Sequence, residues 1–391
     1  MQYIYVSAAC SETKYNELFE QGIIKTGQQS QKFNNLLIKG LAMNAEVYAV
    51  SLIPISVQAP RRKYKTETEK IGNLQYIVIG ILNFPIIRGV WNLLSLTKQL
   101  LRLVKKNKPC ILLCDAYSAS CSLATYIVSK IKRIKSVAIV TDLPQHLKVK
   151  KGIGGLVYRL MKRYDGYILL TEAMNEEVNV KCAPKLIIEG SCDQNMGEMT
   201  NLLENKQKPK VCLFAGSLTP NVGIELFTEA FIKAHPENYE FHVYGAGPLE
   251  EYFKTISQEY SCIKYFGCIP NSIVVQKQIE ATILVNPRKT DAEYTKFSFP
   301  SKLIEYLASG TPVLTTKLMG IPKEYYPYLY TIDGNNPLDY EKALINVFSK
   351  DERQLYSFGM AAKQFVLSEK NNQKQGEKII RWIESELIIE K

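Results

Sequence analysis

Three times in the first half of the chain an apolar run ends on an acidic residue and gives way to a helical stretch. Cys110-Ile111-Leu112-Leu113-Cys114-Asp115 is the first, with a helix expected over about Ser120–Lys132. Ser136–Asp142 and Gly166–Glu172 repeat the pattern. Met1–Ala8 and Ala45–Leu52 also read as strands, with Gln31–Leu41 as the helix between them. Strand, polar tip and helix in repetition specify a parallel α/β sheet. Ligands of such sheets bind at the carboxyl ends of the strands, where Asp115, Asp142 and Glu172 all fall. An Asp at that position serves equally well as a helix N-cap.

A second series follows. Val211–Gly216 reads as a strand running into a turn, Ile224–Ala234 as a helix, and Tyr239–Tyr244 as a strand ending at Gly245-Ala246-Gly247. Ala281–Pro287 is a further strand. Between the two series, Gln194–Lys210 is polar and aperiodic, which marks a linker. With 391 residues the chain is long enough for two domains. The expected division is 1–195, a linker at 196–210, and 211–370, with 371–391 a last helix packing back on the first domain.

Phe299–Val313 concentrates polar chemistry on one helix. Pro300 suits a first turn, Gly310 the position past the end, and Pro312 cannot continue the helix. Leu303, Ile304 and Leu307 share one face; Lys302, Glu305 and Tyr306 are expected on the other. Free amides at a helix start bind phosphate, and a Lys adds charge for the same anion. A carboxylate one turn further in can accept hydrogen bonds from a ribose diol. The pattern fits a nucleoside diphosphate, and fits equally an ordinary amphipathic helix with solvated polar positions.

Charge divides the chain. Residues 1–200 carry 27 Lys/Arg against 15 Asp/Glu; residues 201–391 carry 22 against 23. The excess lies mainly between Arg61 and Arg163, with 21 basic and 4 acidic residues. Such a half meets a polyanion or an anionic membrane. Its basic residues alternate with aliphatic ones and carry no nucleic-acid motif, which favours membrane over nucleic acid. Tyr76–Leu96 is nearly apolar, but Asn83, Pro85 and Arg88 interrupt the roughly 20 residues a spanning helix needs. It reads as a strand and turn leading into an amphipathic helix, Val90–Lys106. That helix either lies on a membrane or packs its apolar face on the sheet; both hold if only the loop Asn83–Arg88 and the basic flank touch lipid.

Several chemistries lack their residues. Gly245-Ala246-Gly247-Pro248 lacks the third glycine of a dinucleotide fingerprint. There is no Walker loop, no D-x-D, and no G-x-S-x-G. His146, His235 and His242 have no metal spacing, and the last two read as structural. The nine cysteines are scattered without C-x-x-C pairs, as small core residues of a reducing compartment. No secretory leader is visible at Met1–Ser7. No metal and no cofactor are expected; helix ends, amides and Lys or Arg would hold any phosphate.

In order along the chain, Phe214-Ala215-Gly216-Ser217-Leu218, Gly223-Ile224, Val243–Gly247, Phe266-Gly267, Val285–Arg288 and Phe299–Val313 resemble family 4 glycosyltransferases of bacterial capsule and exopolysaccharide clusters. Gln31-Lys32-Phe33, Cys114-Asp115-Ala116 and Thr141–Pro144 extend the resemblance into the first half. It implies an α/β GT-B fold, two Rossmann-like doubly wound domains facing a central cleft. It also implies a retaining, metal-independent transfer from a UDP- or GDP-sugar to an acceptor, which the basic first half suggests is lipid-linked, at the inner face of the cytoplasmic membrane. The second domain takes the nucleotide sugar and the first the acceptor. Gly216, Ser217, Gly245, Arg288, Lys296, Phe299, Pro300, Ser301, Lys302 and Glu305 fall on the nucleotide-sugar side. Glu305 matches the second Glu of the family's E-x7-E signature; the first is replaced by Phe297. The basic pair many members carry after the G-x-L turn is absent from Gly216–Gly223. The leaving diphosphate then relies on Lys302 first, with Arg288, Lys296 and the amides near Ser301. Asp142 is the candidate for orienting donor sugar or acceptor. Gln29, Gln31 and Lys32 fall where the family's N-terminal loop approaches the donor, or form a solvated helix start. Two alternatives remain: a nucleotide-sugar epimerase of the same fold, which the histidine poverty disfavours, and a degenerate GT-B subunit that binds a partner transferase.

Overall fold

The computed structural model describes residues 1–24, 29–85, 87–105, 108–146, 151–234, 237–291 and 293–388. The chain forms two compact units, one of residues 1–191 and 372–391, the other of residues 192–371.

The first unit contains β1 (Gln2–Ser7), α1 (Glu12–Glu20), α2 (Gln29–Ala42), β2 (Glu46–Leu52), β3 (Glu67–Ile71), β4 (Leu74–Ile79), α3 (Arg88–Leu103), β5 (Cys110–Asp115), α4 (Ala119–Lys132), β6 (Ser136–Val140), α5 (Lys151–Met161), β7 (Gly166–Leu169), α6 (Glu172–Val178) and β8 (Lys185–Ile187). Its sheet runs β3-β4-β2-β1-β5-β6-β7-β8, and every pair is parallel except the β3–β4 hairpin. The central strands are apolar on both faces, as strands covered by helices must be; all six residues of β1 are buried. The order reverses between β1 and β5, so the switch point lies outside Ser7 and Asp115.

The second unit contains β9 (Lys210–Ala215), α7 (Ile224–Ala234), β10 (Tyr239–Tyr244), α8 (Glu250–Glu259), β11 (Ile263–Tyr265), α9 (Asn271–Glu280), β12 (Ile283–Asn286), α10 (Ser301–Ser309), β13 (Val313–Thr316), β14 (Tyr330–Ile332), α11 (Pro337–Phe348) and α12 (Glu352–Glu369). The sheet β11-β10-β9-β12-β13-β14 is parallel throughout, with its switch point between β9 and β12. Aromatic side chains fill one face: Phe227 and Phe231 of α7 lie 5.1 and 5.5 Å from Phe241 of β10.

The last helix, α13 (Asn372–Trp382), returns to the first unit and packs on α2. Glycines set this contact. A Cβ on Gly40 would lie 1.9 Å from the Asn372 oxygen, and one on Gly376 would lie 2.3 Å from the Gly40 backbone.

Residues 196–210, expected as a linker, are instead packed inside the second unit. Met196, Asn201 and Lys206 are buried, and short 3-10 turns span Gln194–Gly197 and Leu203–Asn205. The polarity that suggested a linker comes from side chains that bond inward: Asn201 Nδ2 donates to the Ser309 oxygen at 2.8 Å. The amphipathic helix expected at Val90–Lys106 is α3; Lys106 lies outside the described residues. Among the described residues no helix is long and apolar enough to cross a membrane.

Candidate functional site

The carboxyl edge of the second sheet is built by glycine contacts. After β9 the chain turns at Gly216, whose N–H donates to the Tyr244 oxygen at 3.0 Å, and the Leu218 N–H donates to the Ala246 oxygen at 3.0 Å. A Cβ on Gly245 would sit 1.8 Å from the Gly216 oxygen, and one on Gly247 2.4 Å from the Leu218 oxygen. Gly245 has φ 142° and Gly247 φ 157°. Only glycine lets the loops after β9 and β10 approach this closely. Ser217 stays exposed. The same loop ends at Gly223, φ 75°, where a Cβ would lie 2.2 Å from the Pro287 oxygen. That contact sits at the switch point between β9 and β12, where doubly wound folds bind ligands.

Arg288 follows β12. Its Nη1 donates to Ser298 Oγ at 3.4 Å, and its carbonyl accepts from Thr316 Oγ1 at 2.5 Å. Lys296 pairs with Glu293 at 3.2 Å and lies 4.8 Å over the Phe297 ring. Phe297 itself is buried, as is Phe299, whose ring is 5.3 Å from that of Tyr325.

α10 begins behind Pro300, whose extended backbone caps the helix with no side-chain bond to its first amides. Gly310 ends it in the left-handed region at φ 78°. Ser301 is exposed and Lys302 half-buried. Lys302 Nζ lies 4.0 Å from Glu305 Oε1, and Gln278 Nε2 of α9 donates to the same oxygen at 3.0 Å. The carboxylate is buried, at 7% exposure, so its charge is held by a cation and a donor that are both placed. Tyr306 does not share a solvated face with Lys302. It is buried, its oxygen accepts from the Ala215 N–H at 2.9 Å, and its O–H donates to the Ala215 oxygen at 3.0 Å. The tyrosine fastens α10 to the end of β9, beside the Gly216 turn. An aromatic ring with one polar tip is equally at home on either side of a helix, so spacing misplaced it.

A second polar cluster lies at the switch point of the first sheet. Asp115 ends β5 at 6% exposure and accepts from the Tyr117 N–H at 3.2 Å and from Asn34 Nδ2 at 3.3 Å. Asn34 Oδ1 in turn accepts from Tyr5 Oη at 2.7 Å. Burial pushes the Asp115 carboxyl up to about 6, its two donors pull it down, and nearby Asp142 adds to the rise. Asp142 itself is exposed. Gln31 is buried and spent on backbone: its oxygen accepts from the Cys10 N–H at 3.1 Å and its Nε2 donates to the Cys10 oxygen at 2.6 Å. It is therefore no solvated helix start. Lys32 is exposed. Gln29 begins α2, but its side chain lies outside the described residues, as do His235 and the side chain of His146. His242 is bonded to Glu240 at 2.7 Å on β10, and burial lowers its pKa. Asn34, Gln278 and Tyr5 belong to these clusters without having been singled out from sequence; a lone amide or phenol carries no spacing signal.

The two sheets and their switch points define a GT-B fold. The sucrose-phosphate synthase of Thermosynechococcus elongatus aligns over 98% of this chain and 99% of its own, with TM-score 0.68 and 13% identity. HepE of Anabaena, in complex with UDP, aligns over 98% and 100%, with TM-score 0.64 and 13% identity. At such identities the likeness is one of fold. By sequence, residues 209–350 match the family described as "Glycosyl transferases group 1". That segment holds both glycine loops, Arg288, Lys296 and all of α10. TuaH of Bacillus subtilis, assigned to teichuronic acid biosynthesis as a glycosyltransferase, is 36% identical over 64 residues, 16% of each chain. AmsK of Erwinia amylovora, an amylovoran biosynthesis glycosyltransferase, is 29% identical over 121 residues, 30% of each chain. The matches thus span less than a third of either relative.

Proposed function

We propose that the protein is a glycosyltransferase of surface polysaccharide assembly. It moves a sugar from a UDP- or GDP-linked donor, held by the second unit, to a lipid-linked saccharide acceptor, held by the first, at the inner face of the cytoplasmic membrane. The transfer is retaining and needs no metal. One observation carries this reading: a glycine-built loop edge, an open helix start and a buried, cation-paired carboxylate all lie in the segment that matches the transferase family.

The chemistry is electrostatic. As the glycosidic bond breaks, negative charge collects on the leaving diphosphate and positive charge on the sugar ring. Lys302 and the amides at Ser301 and Lys302 stabilise the first, with Arg288 and Lys296 as further cations. Glu305 accepts from the ribose diol, and Gln278 fixes its rotamer. The acceptor hydroxyl attacks from the leaving-group face and a diphosphate oxygen takes its proton, so retention needs no protein nucleophile. Asp142 orients a sugar hydroxyl.

A second reading, a non-catalytic subunit that binds a partner transferase, is favoured by one feature. Phe297 fills apolar space where the resemblance expects a carboxylate, and the Gly216–Gly223 loop brings no cation. A thermal-shift panel of UDP- and GDP-sugars with EDTA present separates the two. Stabilisation by one donor, absent in Glu305→Ala, supports the enzyme. No shift with any donor by the folded protein, and no turnover with acceptor added, supports the subunit.

A further inference from the structure

We propose that loop 53–66, residues 80–85 and the outward face of α3 with Ile87 at its start form the protein's docking surface for an anionic lipid bilayer. This rests on and deepens the membrane location proposed above, and is independent of the donor and the acceptor.

The two loops are zipped into one rigid edge beyond β2 and β4. The Tyr64 N–H donates to the Ile81 oxygen at 2.8 Å, and the Asn83 N–H to the Arg62 oxygen at 3.1 Å. Asn83 Nδ2 donates to the Ala59 oxygen at 2.8 Å. Half-buried Arg88 clips both loops, donating to the Ile55 oxygen at 2.6 Å and to Asn83 Oδ1 at 2.9 Å. Trp91 Nε1 ties α3 to the Gly80 oxygen at 3.1 Å. Asn83, Arg88 and the Trp91 indole spend their polar groups inside this edge, while Val57 and Phe84 stay exposed.

α3 carries two apolar stripes. Leu96 and Leu100 are buried. Ile87, Val90 and Leu94, spaced three and four apart, form a second stripe that faces water, and Lys98, Arg102 and Lys105 continue it toward the helix end. Together with Val57 and Phe84, these three side chains are 41–63% exposed. Five large apolar side chains grouped in this way mark an interaction surface, whereas scattered ones would not.

Charge selects the occupant. Arg61, Arg62, Lys63 and Lys65 stand exposed on the first loop. Between residues 53 and 105 the only carboxylates are Glu67 and Glu69, on edge strand β3, and these are engaged by Lys14 at 2.9 Å and Thr13 at 3.1 Å. An aliphatic stripe flanked by cations, on a helix that lies flat, fits the boundary between acyl chains and anionic headgroups. A nucleic-acid groove would instead interleave its cations with stacking aromatics.

The test is sedimentation of the full chain with vesicles of phosphatidylglycerol in phosphatidylcholine, and of phosphatidylcholine alone. Wild type should bind the anionic vesicles, less so at high salt. A Val90→Ser/Leu94→Ser protein should bind roughly tenfold more weakly, since both groups are withdrawn from the apolar phase. An Arg61→Glu/Lys63→Glu protein should lose the preference for phosphatidylglycerol. Val180→Ser, an exposed apolar residue elsewhere on the unit, should bind as wild type. No binding by wild type, or equal binding by all four proteins, overturns the proposal. So does a change of oligomeric state in the serine pair with lipid binding intact, which would make this face a contact between copies. Donor thermal shifts and turnover assays on the same proteins keep the two readings apart: vesicle binding with neither donor shift nor turnover supports the surface and removes the enzyme, and a donor shift without vesicle binding overturns the surface and leaves the transferase.

Discussion

Gln278 donates to Glu305 across 3.0 Å inside the second unit, so the carboxylate proposed to meet the donor ribose is aimed by a residue on a different helix. A hydrogen bond to a charged group contributes about 1.5–3 kcal/mol, or roughly 10- to 100-fold in affinity. Gln278→Met should weaken donor binding by that range in isothermal titration, and Glu305→Ala should abolish it. A Gln278→Met protein that binds as tightly as wild type would remove the positioning role and leave Glu305 to act alone.

Gly245 tests whether the glycine-built edge is a requirement of the backbone. Its φ of 142° and the 1.8 Å from a Cβ to the Gly216 oxygen leave no room for alanine, and both loops are backbone. Overpacking of this kind destabilises by about 1–3 kcal/mol and a left-handed residue adds about 1–2. Gly267→Ala is the control: φ is 68°, but nothing lies within 4 Å of its Cβ, so only the second contribution applies. Urea unfolding should therefore place Gly245→Ala well below Gly267→Ala, and Gly245→Ala alone should lose donor binding. Equal midpoints for the two variants would mean that the loops separate without penalty.

Asp115 gives stability a pH dependence. Its carboxyl titrates at about 6 in the folded chain, chiefly through burial, and near 3.9 when unfolded. Between those values the folded state binds more protons, so its stability falls as pH rises from about 4 to about 6 and is level above. The ionised group then destabilises by about 3 kcal/mol at neutral pH. Asp115→Asn should flatten that stretch of the urea-midpoint profile and raise the midpoint at pH 7. Asp142→Asn should end the slope at a lower pH, because the Asp142 charge contributes to the rise. A wild-type profile level between pH 4 and 6 would contradict the shifted carboxyl.

What the sequence made legible follows from period and termini. The run Ile224–Ala234 and the strand Tyr239–Tyr244 match their elements, because strongly apolar segments bounded by glycine or polar residues have few alternatives. Gly245 and Gly310 were readable because each holds a positive φ that favours glycine. The exposed face expected for Tyr306, and the solvated-start alternative for Gln31, failed for the opposite reason. Both have a polar end that can be satisfied either by water or by one particular backbone group, and no local pattern says which. The donors around Asp115 and Glu305, Asn34 and Gln278, come from elements 81 and 27 residues away in sequence, and only the fold brings them there.

Lys206 is the sharpest case of that kind, a charged residue in a polar stretch that is nonetheless interior. Its Nζ donates to the Ile279 oxygen at 2.7 Å, the Ala281 oxygen at 2.8 Å and Thr311 Oγ1 at 3.0 Å. Three acceptors favour the ammonium form, while burial pulls the pKa down to about 7. The unfolded lysine titrates near 10.4, so between about pH 7 and 10 the unfolded state binds more protons and stability should rise with pH. Lys206→Met keeps the buried stem but strands two carbonyls at the entry to β12, at about 1–3 kcal/mol. It should lower the urea midpoint and flatten the profile between pH 7 and 10. A Lys206→Met protein as stable as wild type would mean that residues 192–209 do not fold as part of the second unit, and would return them to the role of a linker.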